Sequence, residues 1–99
     1  MSLLVRYTLK SAGDHAHQVQ AMEALVAGLK DEGIAGLDYS CFSTNDATEF
    51  IGVLEFVDDT AKQGFLNSTA FADYKEKVGP TFANPPQTTD ITLLATTRG

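Results

Sequence analysis

The first ten residues of the chain alternate between apolar and more polar side chains. Alternation with a period of two is typical of a β-strand with one buried face, because successive side chains point to opposite sides of the strand. Two further strands are predicted in GLDYSCF and TEFIGVLEFV, and the turn-forming residues STNDA between them favour a hairpin. A fourth strand is predicted in TTDITLLATT, which is rich in β-branched residues.

Between the first two strands the apolar residues recur at spacings of three and four instead, which is the pattern of an amphipathic helix. Asp14 is the predicted N-cap of this helix, and Gly33 marks its end. The apolar stripe that the spacing predicts consists of Val19, Met22, Leu25, Val26 and Leu29.

A second helical segment is predicted after the third strand. The stretch DDTAKQ offers several possible N-caps, including Thr60 with Gln63 three residues on as a capping box, so we expect the segment to begin there. Residues 67–68 are expected to interrupt it, and the Gly-Pro pair at 79–80 to end it. A loop, FANPPQ, follows.

The resulting order βαββαβ predicts an α+β, ferredoxin-like fold, in which an antiparallel sheet carries both helices on one face. Parity along the strands gives one strongly apolar set and one mixed set. The apolar set is Leu3, Val5, Tyr7, Leu9, Leu37, Tyr39, Cys41, Phe50, Leu54, Phe56, Ile91 and Leu93. The mixed set combines Leu4, Phe42, Ile51, Val53 and Leu94 with Arg6, Thr8, Ser40, Glu55 and Thr92. Because neither set is fully polar, we expect the second face to be covered by another copy of the chain, in a homodimer.

Composition narrows the class of protein. The 99 residues, 43% hydrophobic and 20% charged, are expected to form a single domain over residues 1–99. A net charge of −6 disfavours nucleic acid and anionic membrane surfaces as partners. The lone Cys41 cannot form an internal disulfide, and the N-terminal apolar run is too short for a signal sequence, so we expect a cytoplasmic protein.

The stretch VLEFVDDTAKQGFLNSTAFADY resembles the antibiotic-biosynthesis-monooxygenase-like family of dimeric α/β barrels. The residues that carry the resemblance are Glu55, Asp59, Ala61, Ser68 and Phe71. The order of elements extends it over the whole chain. Two positions depart from the family pattern: Val57 stands where an aromatic residue is common, and Phe65 where histidine is common.

The resemblance implies one of three activities: oxygenation of a quinol-like or polyketide-like aromatic without metal or flavin, haem degradation, or no established chemistry. Haem degradation is disfavoured, because Phe65 replaces the histidine that would ligate the iron. We also expect no metal or flavin, because the chain has two poorly spaced histidines, one cysteine and no glycine-rich phosphate loop. The leading hypothesis is a cofactor-independent monooxygenase of a small aromatic or quinol. The alternative is a non-catalytic, ligand-binding or stress-related dimer.

Several candidate residues have a simpler structural interpretation. His15 and His17 lie in the first turn of the first helix, where a spacing of two does not suit a shared metal, so solvated or capping roles are favoured. Cys41 is interpreted as a small core residue. Tyr7, Tyr39 and Tyr74 are expected to pack with their hydroxyls at the edge of the core.

The aromatic residues of the second helical segment give the predicted ligand pocket. Phe65, Phe71, Tyr74 and Phe82 are expected to line a small apolar cavity between helices and sheet. Arg6 and Glu55, from neighbouring strands, are predicted to supply its polar groups, with an ion pair between them as the alternative. Parity alone leaves open which face of the sheet the helices cover.

Overall fold

Residues 1–98, the part of the chain that this computed structural model describes, form four β-strands and three α-helices. In chain order these are β1 (Ser2–Thr8), α1 (His15–Glu32), β2 (Leu37–Ser43), β3 (Glu49–Phe56), α2 (Asp59–Leu66), α3 (Thr69–Val78) and β4 (Gln87–Ile91). A short 3₁₀ turn precedes α1 and another follows α3. The predicted order of elements is confirmed, with the second helical segment divided into α2 and α3.

The sheet has the strand order β2-β3-β1-β4, and every neighbouring pair is antiparallel. This arrangement confirms the predicted α+β, ferredoxin-like fold. The buried core contains the apolar side chains of β1 and β3 together with residues of all three helices. One face of the sheet is therefore covered by the helices, and we call the opposite one the outer face.

Helix α1 follows a 3₁₀ turn capped by Ser11, whose hydroxyl accepts a hydrogen bond from the backbone N–H of Gly13. Asp14 occupies the predicted N-cap position but makes no capping hydrogen bond with its side chain. The helix ends at Gly33, whose φ of 64° is left-handed and favours glycine. The residues that α1 buries are Gln18, Ala21, Met22, Leu25 and Leu29.

The break between α2 and α3 lies where the sequence predicts it, and α2 begins within the predicted stretch DDTAKQ. Asp58, rather than Thr60, caps α2, and its Oδ1 accepts a hydrogen bond from the N–H of Ala61 at 2.9 Å. Ser68 caps α3: its hydroxyl accepts from the N–H of Phe71 at 3.1 Å and donates to the carbonyl of Phe65 at 2.7 Å. The second helical segment therefore turns at a buried polar cap.

Strand β4 is shorter than the pattern predicts. Ile91 pairs with Ser2, the first residue of β1, so the residues after Ile91 find no partner on β1. Leu93 and Leu94 lie beyond the strand and are 63% and 95% exposed. The predicted extension of the strand through TLLATT is therefore wrong. Among residues 1–98, none of the helices combines the length and the hydrophobicity that crossing a bilayer requires.

Candidate functional site

The pairing register decides which side chains face the helices. Val5 and Tyr7 are buried beneath the helices, whereas Arg6 between them is exposed on the outer face. Glu55 pairs with Ser2, an even-numbered residue of β1, and therefore also lies on the outer face. Arg6 pairs with Ile51, four positions from Glu55 on β3, so the two charged residues are not cross-strand neighbours.

This placement corrects the prediction that Arg6 and Glu55 share a cavity with the aromatic residues. The alternation along the strands places Arg6 and Glu55 on the same face of the sheet, but the helices cover the opposite face. The same register corrects the placement of Ile91, which pairs with Ser2 on the outer face and not with the buried set. The side chains that determine which face is buried include Phe50, Leu54 and Phe56, and each is at most 3% exposed.

A cavity of about 380 Å³ lies between the helix-covered face of the sheet and helices α2 and α3. We call it the aromatic cavity. Its wall includes all four predicted aromatic residues, Phe65, Phe71, Tyr74 and Phe82, together with Tyr7. Aliphatic side chains of the sheet and Thr88 of β4 complete much of the remaining wall. The structure thus brings the predicted aromatic residues around one space, and their role as a ligand pocket stays a prediction.

Backbone contacts at the end of β1 hold Phe82 in this wall. The segment after α3 crosses β1, where the N–H of Lys10 donates to the carbonyl of Thr81 at 2.9 Å and the N–H of Ala83 to that of Thr8 at 2.8 Å. The ring of Phe82 consequently lies 5.5 Å from that of Tyr7, centroid to centroid. On the opposite wall, the rings of Phe65 and Phe71 are 4.5 Å apart. Such separations are typical of packed aromatic pairs.

A network of buried polar atoms adjoins the aromatic cavity. The hydroxyls of Tyr7 and Tyr39 are 3.2 Å apart and share one hydrogen bond. Nε2 of Gln18, a residue with no exposed surface, donates to the hydroxyl of Tyr74 at 2.8 Å. Its other amide atom, Oε1, is buried and has no hydrogen-bond partner among residues 1–98. Tyr7 and Tyr74 are therefore buried in the core, which corrects the expectation that their hydroxyls lie at its edge, whereas Tyr39 is half-buried.

Gly52 makes room for the pair of tyrosines. A Cβ atom at this position of β3 would lie 3.0 Å from the hydroxyl of Tyr39 and 3.4 Å from the ring of Tyr7. Contacts of about 3.0 Å from a Cβ to another heavy atom are too close to be accommodated without movement. The absence of a side chain at residue 52 is thus what allows the two rings to approach over the centre of the sheet.

Burial keeps these hydroxyls protonated. Desolvation raises the pKa of Tyr7 above its ordinary value, and the hydrogen bond from Tyr39 offsets this in part. Burial likewise raises the pKa of Tyr39 and of Tyr74. It also raises the pKa of the Cys41 thiol to about 11. At neutral pH all four groups are therefore neutral hydrogen-bonding groups, and none of them is a base or a thiolate nucleophile.

The two histidines contact backbone carbonyls outside the aromatic cavity. Nδ1 of His15 lies 2.9 Å from the carbonyl oxygen of Ala47 in the β2–β3 loop. Nε2 of His17 lies 3.2 Å from the carbonyl oxygen of Lys77 near the end of α3. Both rings thus connect the start of α1 to neighbouring segments. Within residues 1–98, no group of three His, Cys, Asp or Glu side chains is arranged to hold a metal ion.

A second, more open depression of about 740 Å³ lies between α1 and the edge strand β2. Tyr39 and Cys41 line it from β2, and Val19, Met22 and Val26 line it from α1. Tyr39 belongs to this groove while its partner Tyr7 lines the aromatic cavity, so their shared hydrogen bond lies between the two spaces.

The residues of the site that were missed from the sequence include Gln18 in the polar network, and Tyr7, Lys62 and Lys75 in the lining of the aromatic cavity. Gln18 precedes Met22 by four positions and Leu25 by seven, so it lies on the apolar stripe of α1, and a polar residue in such a stripe is a recognisable signal. The lysines gave no such signal, because exposed lysines on helices are common.

Several solved structures share this fold. One, an antibiotic biosynthesis monooxygenase, has a TM-score of 0.80 and 12% identity, with 95% of this chain and 98% of that chain covered. A putative antibiotic biosynthesis monooxygenase from Bacteriodes thetaiotaomicron has a TM-score of 0.81 and 15% identity over 100% of this chain and 93% of that one. A protein of unknown function from Nitrosomonas europaea has a TM-score of 0.79 and 18% identity, covering 99% and 92%.

These likenesses show that the chain has the fold of structures named antibiotic biosynthesis monooxygenases, as the sequence resemblance implies. At identities of 12 to 18% they establish the fold and not the activity. No family model and no curated protein matches the chain.

Proposed function

We propose that this protein is a cofactor-independent monooxygenase that acts on a small aromatic or quinol-type substrate in the aromatic cavity. The observation that carries the proposal is a cavity of about 380 Å³ with aromatic walls, two of which are the network tyrosines Tyr7 and Tyr74. Apolar pockets of roughly 300–1,000 Å³ with a few placed polar groups are typical of small-molecule sites. The fold shared with structures named monooxygenases supports the choice of reaction.

The reaction of this class converts a phenol and dioxygen into a para-quinone and water. One oxygen atom forms the new carbonyl, the other leaves as water with the hydroxyl and ring hydrogens, and the substrate supplies all four electrons. Negative charge develops on the substrate oxygen as the hydroxyl loses its proton. A tyrosine that remains protonated can donate a hydrogen bond to that oxygen, and Tyr74 is suited to this because its own hydroxyl already accepts from Gln18.

A non-catalytic, ligand-binding role is the second candidate, and a specific observation favours it. Among the described residues that line the aromatic cavity there is no histidine, aspartate or glutamate. General-base catalysis usually depends on one of these side chains within hydrogen-bonding distance of the proton. A cavity of this kind that only binds an aromatic molecule would need the same walls and the same tyrosines.

Oxygen uptake separates the two candidates. We expect wild-type protein to consume dioxygen above the autoxidation rate with at least one of 1-naphthol and anthrone. Tyr74→Phe should lower turnover about 100-fold while the protein stays folded, because one hydrogen-bond donor to a developing oxyanion typically contributes that much. Thr88→Trp should block the cavity from β4, and Gln63→Trp, exposed on α2 outside the lining, should leave uptake unchanged.

Binding of these compounds without uptake above background would contradict the monooxygenase and support the binding protein. Unchanged uptake in Thr88→Trp would contradict the choice of cavity. Circular dichroism on each variant confirms that a loss of uptake does not come from unfolding.

A further inference from the structure

The aromatic cavity has a charge opposite to that of the chain as a whole. The sequence contains 13 acidic residues and 7 lysines and arginines. Within residues 1–98, however, the only cavity-lining side chains that carry a formal charge at neutral pH are two lysines, Lys62 on α2 and Lys75 on α3. Among the described residues, this strongly apolar cavity of an acidic protein is therefore lined by cations and by no carboxylate.

Both lysines line the cavity, and one of them contacts an aromatic residue of its wall. Nζ of Lys75 lies 4.6 Å from the centroid of the Phe71 ring, which places the ammonium over an aromatic wall residue. Lys62 is half-buried and lies three residues before Phe65 on the same face of α2. Lysine side chains in such positions cover apolar surface with their methylene groups while the ammonium reaches solvent, which here is at the cavity mouth.

We propose that the aromatic cavity selects an amphiphilic monoanion: an aromatic body that fills the cavity and a single carboxylate that lies at the mouth, against Lys62 and Lys75. The inference rests on the proposed function only in using the same cavity. It specifies the charge of the ligand, a property that the monooxygenase reaction does not determine. A neutral quinol of the same size would fill the apolar walls but leave both ammonium groups without a counterion.

The size of the cavity limits the aromatic body. A protein cavity of about 150 Å³ holds one benzene molecule, so about 380 Å³ accommodates two fused rings with a small substituent. Naphthoates meet both requirements.

Acidic residues near the mouth are exposed and outside the lining: Asp59 precedes Lys62 by one helical turn, and Asp90 pairs with Leu3 on the helix-covered side of the sheet.

Calorimetric titration of the full chain with 2-naphthoate and with its neutral counterpart 2-naphthamide tests the proposal. We expect wild-type protein to bind 2-naphthoate at least about fivefold more tightly than the amide. Lys62→Gln and Lys75→Gln together should weaken naphthoate binding about tenfold, since each partly exposed ion pair contributes up to about fivefold, and should leave the amide within about twofold. Lys77→Gln is the matched control, because it removes the same charge from α3 outside the cavity.

Equal affinity for the two probes, no detectable binding of either, or an equal effect of Lys77→Gln would overturn the proposal. The oxygen-uptake experiment separates its failure from that of the proposed function. Lysine-dependent binding of naphthoate, with no oxygen uptake from either 1-naphthol or its carboxylated analogue 1-hydroxy-2-naphthoate, supports this inference and contradicts the monooxygenase. Turnover of neutral 1-naphthol, with no preference for naphthoate over naphthamide, does the reverse.

Discussion

Tyr74 and Gln18 illustrate how much of the site depends on single hydrogen bonds. Gln18 has no exposed surface, and its one hydrogen bond in the core is the one that Nε2 donates to Tyr74. Its Oε1 already lacks a partner. A buried amide that loses its last partner retains the full cost of desolvation, which is about 1–3 kcal/mol. The two residues should therefore behave as a coupled pair.

We expect Tyr74→Phe to lower the free energy of unfolding by about 1–3 kcal/mol, because it leaves the Gln18 amide wholly unpaired. Gln18→Met has a similar shape and no polar group, so the double variant should be less destabilised than the sum of the single changes, by about 1 kcal/mol. Urea unfolding of the four proteins measures this coupling. Additive effects would show that the hydrogen bond contributes little to stability.

At the same scale, the sequence predicted the aromatic residues of the cavity but not its polar groups. Phe71, Tyr74 and Val78 share a helical face, and that spacing is enough to direct them to the sheet. Arg6 and Glu55 were misplaced because strand parity defines two faces without saying which one is buried. That choice depends on the tertiary packing of the helices against the sheet, and the mixed set also carries apolar residues.

The elements themselves were largely predictable from local chemistry. The alternation of apolar and polar residues predicted the strands, and the apolar spacing of three and four predicted α1. The polar residues at 67–68 predicted the break between α2 and α3. The break has a functional consequence, because the Ser68 cap connects Phe65 to Phe71 and so positions two walls of the aromatic cavity. The end of β4 was not predictable, because the β-branched run continues past Ile91 while the pairing register with β1 does not.

At the scale of the whole molecule, the outer face of the sheet is the feature that the chain alone does not cover. Leu4 pairs with Val53 at its centre, and Ile51 pairs with Phe42, whose side chain is 51% exposed. Contiguous apolar surface of this kind is typical of an interface. The homodimer proposed from the sequence would place these residues against the same residues of a second copy.

We expect Val53→Asp to convert a dimer into a monomer in analytical ultracentrifugation at micromolar concentration. The substitution would place a carboxylate opposite the same carboxylate of the second copy. Val57→Asp is the matched control, since Val57 is 76% exposed and lies just beyond the end of β3. The melting temperature of wild-type protein should rise with protein concentration, and that of Val53→Asp should not. A wild-type protein that sediments as a monomer would contradict the sheet-to-sheet dimer.

The central claim is that an aromatic ligand binds in the aromatic cavity. An NMR titration of methyl-labelled protein with 1-naphthol tests it most directly, because both spaces carry methyl groups. We predict large changes in the methyl chemical shifts of Leu3, Leu54 and Leu66, which line the aromatic cavity. In Thr88→Trp these changes should be absent. Changes confined to Met22 and Val26, in the groove between α1 and β2, would contradict the account.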